Sequence, residues 1–178
     1  MTDEPLVQAL AAIAARGAIG ESSLQRAIEH AQQYVDKVPA QAGTLCDLGS
    51  GGGLPGLVIA VRCAQLRITL VERRATRADL LRRAVRSLGL DDRVAVVADD
   101  VAQVAANSAG TYDVVTARSF AAPPITAKWA GRLLRPGGLL IVSEPPEDDP
   151  ARWTPAVLGA AGLVDQGRDQ GVRTFLRQ

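Results

Sequence analysis

Two segments near the amino terminus, residues 4–16 and 21–38, are rich in alanine and repeat their apolar residues at helical spacing, with RGAIG between them and Pro39 closing the second. From residue 44 the pattern changes. TLCDL (44–48), ITLVE (68–72), VAVVA (94–98), YDVVTA (112–117) and GLLIVS (138–143) are short runs rich in β-branched residues. Each predicts a strand buried on both faces. The stretches between them, 54–64, 76–89, a short one near 100–107, and 124–134, are long enough for crossover helices. Strands and helices alternating in this way predict an α/β fold with a mostly parallel, doubly wound sheet. At the tail, ARWTPAVLGAAG reads as one helix and LVDQGRDQGVRTFLRQ as two strands about a glycine-containing turn. That hairpin would add antiparallel strands, for seven in all.

There is no internal repeat, and SEPPEDDP (143–150) is the one stretch that reads as a linker. The 178 residues fit one globular domain, with helices in 1–40 packed on a core spanning 41–178.

Charge changes this picture little. The formal net charge of +1 gives no global attraction to nucleic acid, so an RNA partner would have to meet a local basic patch. Such a patch is on offer: Arg73, Arg74, Arg77, Arg82, Arg83 and Arg86 surround the apolar stripe of the segment 76–89, although a solvated helix face accounts for them equally well. Cys46 and Cys63 have neither metal-ligand nor disulfide-framework spacing. No metal is expected, and a reducing cytoplasm is the expected location. The acidic opening MTDEPLVQAL lacks the basic and apolar regions of an export signal, and no apolar run is long enough for a membrane span. No feature sets an oligomeric state.

The candidate chemistry lies in CDLGSGGGLPGLV (46–58), with five glycines between Asp47 and Gly56. Gly51 and Gly56 have the Walker A spacing, but Leu57 and Val58 stand where Lys and Ser/Thr are required, which removes that reading. GGGLPG also satisfies the dinucleotide pattern, with Glu72 about twenty residues on as a ribose partner. On spacing alone a nicotinamide cofactor survives. Against it stand Asp47, whose carboxylate would repel a pyrophosphate, the lack of a second nucleotide half, and the terminal hairpin.

S-adenosylmethionine suits the same residues. Its cationic groups would be attracted by Asp47, and glycines at 49, 51 and 53 let the backbone approach it closely. Glu72 would accept the ribose hydroxyls, Asp100 an adenine amino group, and the Val101 backbone would read the ring. Blander roles stay open: Glu72 as a helix cap or arginine partner, Asp99 in place of Asp100, and Asp47 as an anchor of the loop.

The pattern Asp47, Gly49, Gly51, Gly53, Pro55, Gly56 resembles the cofactor loop of the bacterial glucose-inhibited division protein B family, methyltransferases that modify guanine N7 in 16S ribosomal RNA. The likeness runs through LVERRATRADLL, where Arg77 takes the family's basic position, YDVVTARSFA and RLLRPGGLLIV, over about residues 44–143. It implies a class I S-adenosylmethionine-dependent methyltransferase with a Rossmann-like fold and ribosomal RNA or the small ribosomal subunit as partner. It also implies that Gly49 and Leu54 contact the cofactor, that Val101 and Ala102 border the adenine, and that Arg118 faces cofactor and substrate as the catalytic candidate. A guanidinium there could grip a phosphate or guanine O6, or pair with Asp47, Asp113 or Glu144.

Guanine N7 carries a lone pair and no proton, so its methylation needs alignment more than a base. The lone histidine, His30, reads as structural, and neither cysteine sits where it could attack a pyrimidine ring. Ser143 replaces the family's usual lysine, and EPPEDDP sets four acids near the expected substrate mouth. A small-molecule methyltransferase of the same fold and a cofactor-binding accessory paralogue remain as alternatives.

Overall fold

The computed structural model describes residues 4–17, 24–147 and 149–178. Two helices, α1 (Glu4–Ala14) and α2 (Leu24–Val35), precede the first strand; the predicted start of the second helix, 21–23, lies outside the described residues. The strands are β1 (Thr44–Leu48), β2 (Arg67–Val71), β3 (Val94–Val97), β4 (Tyr112–Ala117), β5 (Leu134–Ser143), β6 (Leu163–Asp169) and β7 (Val172–Arg177). Helices α3 (Gly56–Arg62), α4 (Ala75–Ser87), α5 (Val101–Asn107) and α6 (Pro123–Leu133) connect the first five.

Among the described residues these strands form a seven-stranded sheet in the order β3-β2-β1-β4-β5-β7-β6. β1 to β5 pair in parallel, and β7 enters antiparallel between β5 and β6. Neighbouring residues point to opposite faces. Leu45, Val114 and Ile141 join a core with α1 to α4, while Cys46, Val115 and Leu140 join a second core with α5 and α6. Burial on both sides is why these strands are continuously apolar. The sheet order turns at β1 and β4, and a crevice opens at the carboxyl ends of strands at such a point.

Two predicted elements differ. β5 begins at Leu134 rather than 138, because RPGG bulges within the strand instead of turning away: Leu134 pairs with Tyr112 and the register shifts before Val114. The predicted helix over 151–162 is broken into a 3-10 turn, Pro150–Trp153, and α7 (Pro155–Ala161). Pro155 disfavours helical backbone at Thr154, which instead caps α7 by accepting the Val157 N–H.

SEPPEDDP is not a linker. Glu144 is buried and accepts hydrogen bonds from Trp153 Nε1 at 2.8 Å and Arg152 Nε at 3.3 Å, and Arg168 donates to the carbonyls of Pro145 and Pro146. Asp149 caps the 3-10 turn. Glu144 and Asp149 are therefore occupied within the fold, Glu147 is exposed, and Asp148 lies outside the described residues. No helix among the described residues is long and apolar enough to cross a membrane.

Candidate active site

The glycine loop fills the gap between β1 and α3, and backbone bonds hold it there. Ser50 N–H donates to Val71 O, Gly53 N–H to Ser50 O, and Gly51 N–H to Glu72 Oε2 at 3.0 Å. Gly49 has φ +64°, and a Cβ on it would lie 2.9 Å from the Phe120 ring, so both conformation and space require glycine. Gly56 is demanded by packing: a Cβ there would meet the Leu70 side chain and lie 2.7 Å from Asp47 Oδ2.

Two cavities open side by side at the carboxyl ends of the strands. The first, of about 400 Å³, is lined by Gly49, Glu72, Asp100, Val101, Phe120 and Trp129, with Arg73, Arg74 and Arg77 along its edge. The second, of about 300 Å³, is bounded by Ser143, Arg152 and Trp153. Ser119, Phe120 and Ala121 form the wall common to both.

The predicted residues divide around the first cavity. Gly49, Glu72, Asp100 and Val101 line it together. Glu72 is buried and accepts from the Arg74 N–H at 2.8 Å as well as from Gly51, so it ties the loop and the start of α4 to the end of β2. Asp100 accepts from the Ala102 N–H at 2.9 Å and so caps α5, which leaves its other oxygen free of that bond. Ala102 meets the site only through this cap. Gly51 lies behind Glu72, whereas Gly53 and Leu54 face the core: a Cβ on Gly53 would collide with Leu57, and Leu54 is buried in the cluster beneath.

Asp47 lies beneath the loop rather than on a cavity wall. It is 1% exposed and lines neither cavity. Thr116 Oγ1 donates to its Oδ1 at 2.7 Å, and its Oδ2 lies against Gly56. Burial pushes its pKa up to about 6, against the opposing pull of the Thr116 hydroxyl and Arg118. The carboxylate is thus an anchor beneath the loop. That role could be foreseen from the sequence; the depth of its burial could not.

Arg118 also lines neither cavity. Its side chain sits near Asp47, Tyr34 and His30, whose pKa values it influences, and its Nη1 is buried without a partner. None of the predicted acid partners takes it into an ion pair: Asp113 pairs with Arg135 and Glu144 with Arg152. His30 packs edge-on against Tyr34, and burial followed by the Arg118 charge lowers its pKa. Tyr34 donates its hydroxyl to Ala117 O, joining α2 to the end of β4. No group of three or more His, Cys, Asp or Glu suited to a metal occurs among the described residues.

Sequence reasoning missed the partition. Ser119 has φ +52°, unusual for a residue with a Cβ, and turns Phe120 onto Gly49. The signal was available in the scarcity of aromatics: the chain has two Phe and two Trp, and Phe120 and Trp129 both follow the fourth strand.

The same fold is found in solved structures. The fold superimposes on an O-methyltransferase from Bacillus cereus solved in complex with SAH, with a TM-score of 0.70 over 99% of this chain and 92% of that one at 18% identity. An O-methyltransferase family protein from Burkholderia thailandensis matches at 0.68 over 85% and 57%, at 20% identity. The fold is that of the class I, Rossmann-like S-adenosylmethionine-dependent methyltransferases. Within it, the chain belongs to the GidB family, rRNA small subunit methyltransferase G, whose family model matches residues 10–145.

Ribosomal RNA small subunit methyltransferase G of Stenotrophomonas maltophilia (strain K279a) is 46% identical over 99 residues, 56% of this chain and 45% of that protein. Its counterpart in Xanthomonas euvesicatoria is 40% identical over 119 residues, 64% and 55% of the two chains. The match thus spans about half the length of these curated relatives.

Proposed function

We propose that the chain is an S-adenosylmethionine-dependent methyltransferase that acts on a guanine N7 of 16S ribosomal RNA, alone or in the small ribosomal subunit. The observation that carries this reading is the convergence of Gly49, Glu72, Asp100 and Val101, from the ends of three adjacent strands, on one cavity. Membership of the GidB family supports the choice of RNA.

The residues fit the cofactor's parts. Each Glu72 oxygen accepts one backbone N–H and keeps lone-pair capacity for a ribose hydroxyl, and Asp100 has an oxygen outside its cap for an amino group. The unpartnered Arg118 Nη1 suits a carboxylate behind the loop. When bound, S-adenosylmethionine supplies an electrophilic methyl group. The protein's part is alignment: Glu72 fixes the loop, Asp47 props it from beneath, and Phe120 walls the cavity on the acceptor side. A guanine N7 asks for no general base, which agrees with His30 lying on α2 rather than in either cavity.

Titration calorimetry with S-adenosylhomocysteine and with NAD tests the cofactor assignment. Binding of S-adenosylhomocysteine alone is expected; binding of NAD alone would overturn it.

A further inference from the structure

We propose that the arginines of α4 form a track for an RNA phosphate backbone that starts at the edge of the first cavity and runs along the helix to α1. This rests on the reading that the substrate is RNA, and adds where the chain grips it. Arg73, Arg74 and Arg77 border the cavity. Arg83 and Arg86 are exposed further along the helix, and Arg83 shares a groove with Arg16, in the turn after α1. From Arg73 to Arg86 the arginines extend about 20 Å at the helical rise, with Arg77, Arg83 and Arg86 on one i, i+3 row that winds about half a turn round α4.

Three observations point to an anion. The first is that none of these guanidinium groups is held in an ion pair by the described residues. Asp79 pairs with Arg82, and none of the five guanidinium groups at 73, 74, 77, 83 and 86 meets a carboxylate among the described residues. Glu72, Asp99 and Asp100 line the same cavity, but their side chains accept from backbone N–H groups and none forms an ion pair with these arginines.

The second is the position of the charge on the helix. α4 has no acid in its first turn and no side-chain cap, yet Arg74 sits at its N-cap and Arg73 and Arg77 flank it. Cations at the positive end of a helix dipole oppose helix stability, so this arrangement does not serve the fold. The third is that S-adenosylmethionine carries no phosphate and is itself cationic. Its single carboxylate is assigned above to Arg118, so the three guanidinium groups beside the cavity suit a further, anionic ligand. A nucleic-acid backbone supplies phosphates at intervals along such a strip.

The test is anisotropy of a fluorescein-labelled fragment of 16S rRNA bound to the full chain between 50 and 200 mM salt, as an order-of-magnitude range. It compares wild type, R73Q/R74Q, R83Q/R86Q, and R67Q at the opposite end of β2. Each double variant is expected to weaken binding at least about threefold and to flatten the slope of log affinity against log salt by roughly 1.5, while R67Q changes it little. R83Q/R86Q, remote from the cavity, keeps wild-type affinity for S-adenosylhomocysteine. Wild-type slopes in both double variants would overturn the track while leaving the cofactor and substrate readings standing. A wild-type chain that binds S-adenosylhomocysteine but no RNA would overturn the RNA reading and the track with it.

Discussion

Glu72 Oε2 accepts the backbone N–H of Gly51 at 3.0 Å, so the end of β2 holds the glycine loop that follows β1. Removing this carboxylate should loosen the loop and take away the proposed ribose acceptor together. Hydrogen bonds to charged groups contribute about 1.5–3 kcal/mol each. Glu72→Ala is therefore expected to weaken S-adenosylhomocysteine binding by about tenfold or more, with Glu72→Gln between it and wild type. Calorimetry on the three proteins gives the order, and equal affinities would remove Glu72 from the site.

Gly56 and Gly159 form a second comparison. A Cβ on Gly56 would run into Leu70 and the buried Asp47 carboxylate, whereas Gly159, inside α7, has open space around it. Gly56→Ala should cost about 1–3 kcal/mol through overpacking, and Gly159→Ala should gain about 0.5–1 kcal/mol from helix propensity. Urea denaturation measures both.

These cases also mark what was legible in the sequence. The parallel strands and the hairpin were readable because burial on both faces leaves an unbroken apolar run, as in YDVVTA, and Gly-containing turns bound the last pair; β3, at the sheet edge, is apolar although Ala95 is exposed and only Val94 is buried, against the expectation of burial on both faces. The four cavity residues were readable because each follows a strand at the same end of the sheet. What escaped reading depends on where side chains turn in space. Asp47 is buried beneath the loop by Thr116 and Gly56, Arg118 bends toward α2, and Glu144 folds inward onto Trp153. Periodicity carries no information on such contacts, which join residues distant in the chain.

Asp47 has a consequence for stability. Burial raises its pKa from an ordinary value near 3.8 to about 6, so between these values the folded protein holds a proton that the unfolded chain has released. This contribution is complete below pH 3.8 and is lost as pH rises toward 6. The difference corresponds to about 3 kcal/mol at most. Asp47→Asn keeps an acceptor for Thr116 and lacks the titrating group. The stability of wild type relative to this variant should therefore fall over that window in urea melts, and parallel pH profiles would contradict the assignment.

Arg118 lies close enough to His30 to depress its pKa. In Arg118→Ala the His30 titration followed by proton NMR should move upward, with the fold intact by circular dichroism. The same variant is expected to lose about tenfold or more in methyl transfer to 16S rRNA, as befits loss of a charge-assisted hydrogen bond. Full activity would exclude Arg118 from the site, and an unmoved His30 would exclude its placement beside α2.

The proposed reaction places a methyl group on a guanine N7 of 16S rRNA. Nucleoside mass spectrometry tests it most directly, on RNA from cells with and without the gene and on unmodified small subunits incubated with the protein and methyl-labelled S-adenosylmethionine. The expected result is that 7-methylguanosine falls when the gene is removed and that label enters this nucleoside in vitro. An unchanged 7-methylguanosine content, with no label in the RNA, would contradict it.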